Sequence, residues 1–172
     1  MSRFTSGMSI EDLHFVLLSC SKLQSVALPQ ISGDTGKNLD LGDDFPYPKE
    51  LRRISVRGED MLLPGAKALS TMVSKARKLE ELALTFSAIT VSGMNNLCAE
   101  VLVHAQVTAL NFEGGGMCMQ KVGPLLGMLP NCTSLRTLKL PRTSIAGEAA
   151  VLLGTGLPHS CLQNLYLTNN DI

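Results

Sequence analysis

Imidazoles, thiols and clustered carboxylates are the groups that hold metals or carry out nucleophilic and acid–base chemistry, so their spacing comes first. His14, His104 and His159 stand far apart, at unrelated phases of the chain, and supply no paired metal ligands. Cys20, Cys98, Cys118, Cys132 and Cys161 include no pair at zinc-ligand spacing. No serine or cysteine lies in the Gly-x-Ser-x-Gly context of a nucleophile elbow. Ser32 to Asn38 has the outline of a phosphate-binding loop, but Ile31 stands where the first Gly belongs and Asn38 where Ser or Thr belongs. Asp40, Asp43 and Asp44 are close together without the alternation of a calcium loop. The sequence therefore predicts no catalytic, cofactor or metal site, and a chain that is not an enzyme. Function falls instead to surface recognition.

The elements that would carry such a surface are set by one stretch, Leu135 to Ile145, reading L-R-T-L-K-L-P-R-T-S-I. Leu138 and Leu140 share a face of a short strand because side chains alternate with period two. The same outline recurs 28 residues earlier from Val107, again from Leu79 and Leu51, and at Leu23; a step of 27 forward reaches Leu162. Six frames in register predict stacked strands starting near 23, 51, 79, 107, 135 and 162. Equivalent apolar positions 54, 82, 110, 138 and 165 form one buried ladder, and 56, 84, 112, 140 and 167 the next. One such unit cannot bury its apolar side alone, whereas a stack buries a continuous core. Strands lie ~4.8 Å apart and packed helices roughly 8–10 Å apart. That mismatch bends the stack and puts a parallel sheet on the concave side, with helices on the convex one.

Between the frames, helical spacing varies in quality. Residues 1–8 are small and polar and are expected to be disordered, and Ser9 opens a helix to about Cys20. The segment after the first strand, with Pro46 and Pro48, reads as an acidic loop. Ala68, Leu69, Met72 and Val73 make one apolar stripe. Thr90 or Ser92 caps a helix through Met94, Leu97 and Cys98. Gly123, Pro124 and Gly127 predict a short or irregular helix ending before Pro130. A-G-E-A-A-V-L-L predicts a short helix ended by Gly154 and Gly156. Because Ile172 completes a strand frame with no helix after it, residues 9–172 are expected to belong to a longer array, or to meet another chain there.

These features resemble the ribonuclease-inhibitor-like class of leucine-rich repeat proteins. The resemblance covers Leu23 to Ile172 and rests on the period, the L-x-x-L-x-L strands, the G-A-K-A-L helix, and the loops L-P-N-C-T-S-L and L-P-H-S-C-L. It implies an α/β horseshoe solenoid that binds proteins. The alternative it implies is a regulator of an enzyme, such as a GTPase-activating protein of this class. The family places Asn, Cys or Thr at the ninth frame position, where the side chain bonds neighbouring backbone; Thr143 and Asn170 match it. Ile31, Glu59, Ser87 and Gly115 match poorly.

The outward columns of the sheet can be read frame by frame. Arg52 falls beside Glu80 and Arg53 beside Glu81, pairs that stabilise neighbouring strands. The middle column runs Ser55, Ala83, Asn111, Lys139, Tyr166. Arg57, Phe86, Glu113 and Arg142 adjoin it, and Arg136 adds to a basic zone. Arg57, Phe86, Glu113, Arg136, Lys139, Arg142 and Tyr166 are thus the candidate partner-binding residues, suited to a protein partner with an acidic segment and an apolar anchor. Fifteen basic and fifteen acidic residues cancel, which argues against nucleic acid or an anionic membrane as the target. No apolar run reaches the ~20 residues of a membrane span, and Glu11 and Asp12 interrupt any signal segment. Five cysteines, an odd count at irregular spacing, suggest reduced and mostly buried thiols in a cytoplasmic protein, with a Cys132–Cys161 pair left open.

Overall fold

Alternating apolar and polar residues at a fixed interval produce the sheet. In the computed structural model, residues 19–28, 48–61, 69–70, 72–101, 106–114 and 116–172 are described, without the side chains of 58–61, 86–88, 100 and 101. The expectations for residues 1–8, for the helix opened at Ser9, for the acidic loop, and for His14 and His104 concern residues outside that set. Among the described residues there are six strands: β1 (Ser25–Leu28), β2 (Arg53–Met61), β3 (Glu81–Ile89), β4 (Ala109–Gly114), β5 (Thr137–Lys139) and β6 (Asn164–Tyr166). They form one sheet in sequence order, and every pairing is parallel. The protein is thus a mixed α/β structure built on an all-parallel sheet.

Register follows the leucines. Val26, Ile54, Leu82, Leu110, Leu138 and Leu165 are successive cross-strand partners. Leu28, Val56, Leu84 and Phe112 form the next row. Both rows enter the core. One backbone device recurs at each strand step. The carbonyl of Gln24 accepts from the N–H groups of both Arg52 and Arg53, and that of Arg52 accepts from Glu80 and Glu81. Glu80, Thr108 and Arg136 do the same for the strands after them. A single carbonyl just before each strand therefore fixes where the next one starts.

The strands end differently along the sheet. Gly114, Arg142 and Asn169 occupy the same frame position and all have positive φ, of 77°, 55° and 59°. β4 ends at that position and β5 and β6 end three residues before it, whereas β2 and β3 run on for nine residues each. Glycine and asparagine suit that conformation; arginine adopts it against its Cβ sterics.

Helices follow several of the strands. α1 (Val91–Asn96) is capped by Thr90, whose Oγ1 accepts from Gly93 N at 3.0 Å, and continues as a π-helical turn over Leu97–Val101. α2 spans Met119–Met128 and α3 spans Gly147–Gly156, each followed by a 3₁₀ turn. α2 is a continuous ten-residue helix that ends before Pro130, so of the short or irregular helix expected there the short form is present. Pro124 sits in its middle and forfeits one backbone bond, and Cβ atoms at Gly123 and Gly127 would meet open space. Burial of Val122, Leu125, Leu126 and Met128 outweighs those losses. Gly154 likewise lies inside α3 and does not end it. Leu69, Met72 and Val73 are buried as their stripe implied. α1 touches α2 and α2 touches α3, and their apolar residues share one core with the sheet.

Candidate functional site

The sheet face turned away from the core is where polar side chains gather. Its middle column is Ala27, Ser55, Ala83, Asn111, Lys139 and Tyr166, each directly beside the next. The first three are small, so the column has a low floor over β1–β3 and rises at Lys139 and Tyr166. Lys139 Nζ stands 5.4 Å from the centroid of the Tyr166 ring, a contact worth about 0.5–1 kcal/mol at an exposed position. Tyr166 keeps 49% of its surface exposed.

Charges where β2 and β3 begin neutralise one another. Arg52 pairs with Glu80 and Arg53 with Glu81, as their phase implied. Lys78 bonds Glu50 at 2.6 Å. That hydrogen bond, with the lysine's charge, holds the Glu50 carboxyl below the usual carboxylate value.

The β4–β6 end differs. Arg142 reaches Glu113 at a long 3.4 Å, with 69% and 31% of the two side chains exposed. Arg136 contributes less than its phase implied. Its Nη1 donates to the carbonyls of Thr133 (2.6 Å) and Leu135 (3.2 Å), folding the side chain back on its own turn. Lys139 has no carboxylate partner among the described residues. Arg57 is exposed on β2, remote from this end. Phe86 takes its backbone place between Gly58 and Gly114, and its side chain lies outside the described set.

The structure therefore joins Arg142 to Glu113 and Lys139 to Tyr166 across neighbouring strands and leaves Arg57 apart. It also adds a residue that the sequence placed in the column but did not single out. Asn111 precedes Lys139 in register, and its Oδ1 is buried without a hydrogen-bond partner. Its column position was readable from the frame, but the missing partner was not.

Below the sheet's rim, the ninth-position residues act as a bracket. Asn170 Oδ1 accepts from Thr143 N, Thr143 Oγ1 and Ile145 N, each at 3.0 Å. Its Nδ2 donates to the carbonyls of Leu140 (2.6 Å) and Leu167 (2.9 Å). The hydroxyl of Thr143, itself fully buried, shares its one proton between Asn170 Oδ1 and Leu140 O, the latter at 2.9 Å. One amide thus satisfies the backbone of two successive turns.

None of the five cysteines is in a disulfide. Three of them, Cys20, Cys118 and Cys161, are exposed, which corrects the expectation of mostly buried thiols. Burial, with Cys132 nearby, pushes the Cys98 thiol up to about 12, and burial pushes Cys132 to about 11. Both stay protonated and poorly nucleophilic at neutral pH. Among the described residues no three His, Cys, Asp or Glu side chains gather as metal ligands, and no helix is long and apolar enough to cross a membrane. No protein-family model matches the chain, and no curated protein matches it.

Proposed function

We propose that this chain is a leucine-rich repeat solenoid of the ribonuclease-inhibitor-like kind, acting without catalysis as a scaffold that binds a protein partner on the polar face of its sheet. The observation that carries the reading is the repetition itself. The same two-donor carbonyl recurs at five successive strand steps, and Asn170 and Thr143 bond neighbouring backbone where such repeats keep Asn, Cys or Thr. Parallel strands on one side and helices stacked in sequence order on the other fit a horseshoe whose sheet is concave. A sheet held at every step offers side chains in fixed columns, so a partner meets a preorganised surface and little ordering entropy opposes binding.

The test blocks the middle of the column. Ser55→Arg with Ala83→Arg fills the low floor, and Val151→Arg changes an exposed position of α3. A partner captured from the native source by the wild-type chain should be lost with the double variant and kept with Val151→Arg. Capture that survives the double variant, in a protein with an unchanged circular dichroism spectrum, would refute sheet-face binding.

A further inference from the structure

The charges on the polar face are distributed unevenly, and the unevenness selects a ligand. Arg57 stands exposed along β2, but where β2 and β3 begin the arginines are matched by carboxylates one strand away, Arg52 by Glu80 and Arg53 by Glu81. An incoming charge gains little there, because it must first displace an existing partner. At the other end Lys139 has no carboxylate partner among the described residues, and its ammonium group, which can donate three hydrogen bonds, rests against an aromatic ring. Arg142 is held by Glu113 through a long and exposed contact, which a better-placed carboxylate can replace at little cost.

We infer that the β4–β6 end of this face binds an extended acidic segment of a partner protein. One carboxylate sits over Lys139, a second competes with Glu113 for Arg142, and an apolar side chain packs against the exposed Tyr166 ring. The inference rests on the reading of the polar face as a binding surface, and it adds which end is used and what the ligand carries. Two cations three residues apart, one of them over an aromatic ring, suit a short carboxylate-bearing peptide. They are too few for an anionic membrane or a nucleic acid backbone, whose binding grows with the number of cations engaged. The low floor of Ala83 and Ser55 next to Asn111 leaves room for the segment's backbone to continue along the column.

Tyrosine emission makes the test direct. The chain has two tyrosines, Tyr47 and Tyr166, and no tryptophan, so Tyr47→Phe leaves Tyr166 as the reporter. The probe is a blocked peptide of alternating Glu and Leu, set against its Lys-for-Glu counterpart, inorganic phosphate and phosphatidylserine vesicles. The Glu peptide should change Tyr166 emission saturably and more weakly as salt is raised. Lys139→Ala should reduce its affinity roughly tenfold, the ordinary scale for losing an interfacial charge contact. Lys139→Arg should restore most of that affinity, and Lys75→Ala, on the helical stretch 72–75, should leave it unchanged. Binding unaffected by Lys139→Ala, no binding of the Glu peptide, or preference for vesicles or phosphate would each overturn the inference. A native partner lost with the Ser55→Arg, Ala83→Arg variant but indifferent to Lys139→Ala would overturn this inference and leave the wider reading standing. A partner that protects only helix amides from exchange would overturn both.

Discussion

Replacing Asn170 by Ala removes one amide and strands several buried backbone groups at once. The N–H groups of Thr143 and Ile145 lose their acceptor, and the carbonyls of Leu140 and Leu167 lose a donor. A net hydrogen bond is worth about 0.5–1.5 kcal/mol, and a buried group left unpaired costs about 1–3 kcal/mol. Thr143 is fully buried and Asn170 only half-buried. Water can therefore reach the vacated edge near Leu167, while the Thr143 side stays dry and Leu140 O keeps the Thr143 hydroxyl. Counting chiefly Thr143 N and Ile145 N gives about 3 kcal/mol, roughly a hundredfold in the local opening equilibrium. Amide exchange is the right assay, since a stacked structure can open at one end before it unfolds as a whole. Thr143 and Ile145 amides should exchange about a hundred times faster in Asn170→Ala, with β2 and β3 amides unaffected. Asp171→Ala, at an exposed neighbour, should leave the same amides unchanged. Unaltered protection at Thr143 would refute the bracket as a source of stability.

Leu138 is fully buried in the central apolar row, so Leu138→Ala should cost ~2–5 kcal/mol in denaturant unfolding. Arg142→Gly should relieve a left-handed backbone worth about 1–2 kcal/mol while losing an exposed ion pair of at most about 1 kcal/mol. The melting temperature should hold or rise, and a clear fall would show that the Glu113 contact matters more. Native protein treated with a thiol reagent at neutral pH should label at Cys20, Cys118 and Cys161, with Cys98 and Cys132 reacting only after denaturation. The folded pKa values of those two thiols lie above the ordinary 9.0, so the unfolded chain gives up its protons first. Stability that is complete below about pH 9 should therefore decline as pH rises toward 11–12, and alkaline melts that stay flat would contradict that burial.

Much of this arrangement was readable because a parallel sheet copies one spacing. Leucines 28 residues apart placed Leu82, Leu110 and Leu138 in one row, and the same arithmetic paired Arg52 with Glu80 and Arg53 with Glu81. The ninth-position rule singled out Thr143 and Asn170 before their hydrogen bonds were seen. What spacing could not carry was the choice each side chain makes once placed. Arg136 has the phase of a surface cation but spends its guanidinium on nearby carbonyls. Arg142 turns left-handed at a position where Gly114 and Asn169 announce the turn and arginine does not. α2 defeats local propensity because four buried side chains outweigh two glycines and a proline. Thiol exposure depends on which way each helix and turn faces, and no interval between cysteines encodes that.

The strand order has a consequence for how the chain finds its structure. Neighbours in the sheet are neighbours in sequence, so each pairing closes a loop of 27 or 28 residues and no more. Closing such a loop costs on the order of 3 kcal/mol in chain entropy. The next closure costs the same again, because the strand before it is already in place. Folding can then advance as a zipper of equal steps, with no single long-range search setting the rate. β2 and β3 share the longest pairing, with eight registered partners, and are the natural place for it to begin. From there growth in either direction meets the same carbonyl, waiting for the same two N–H groups.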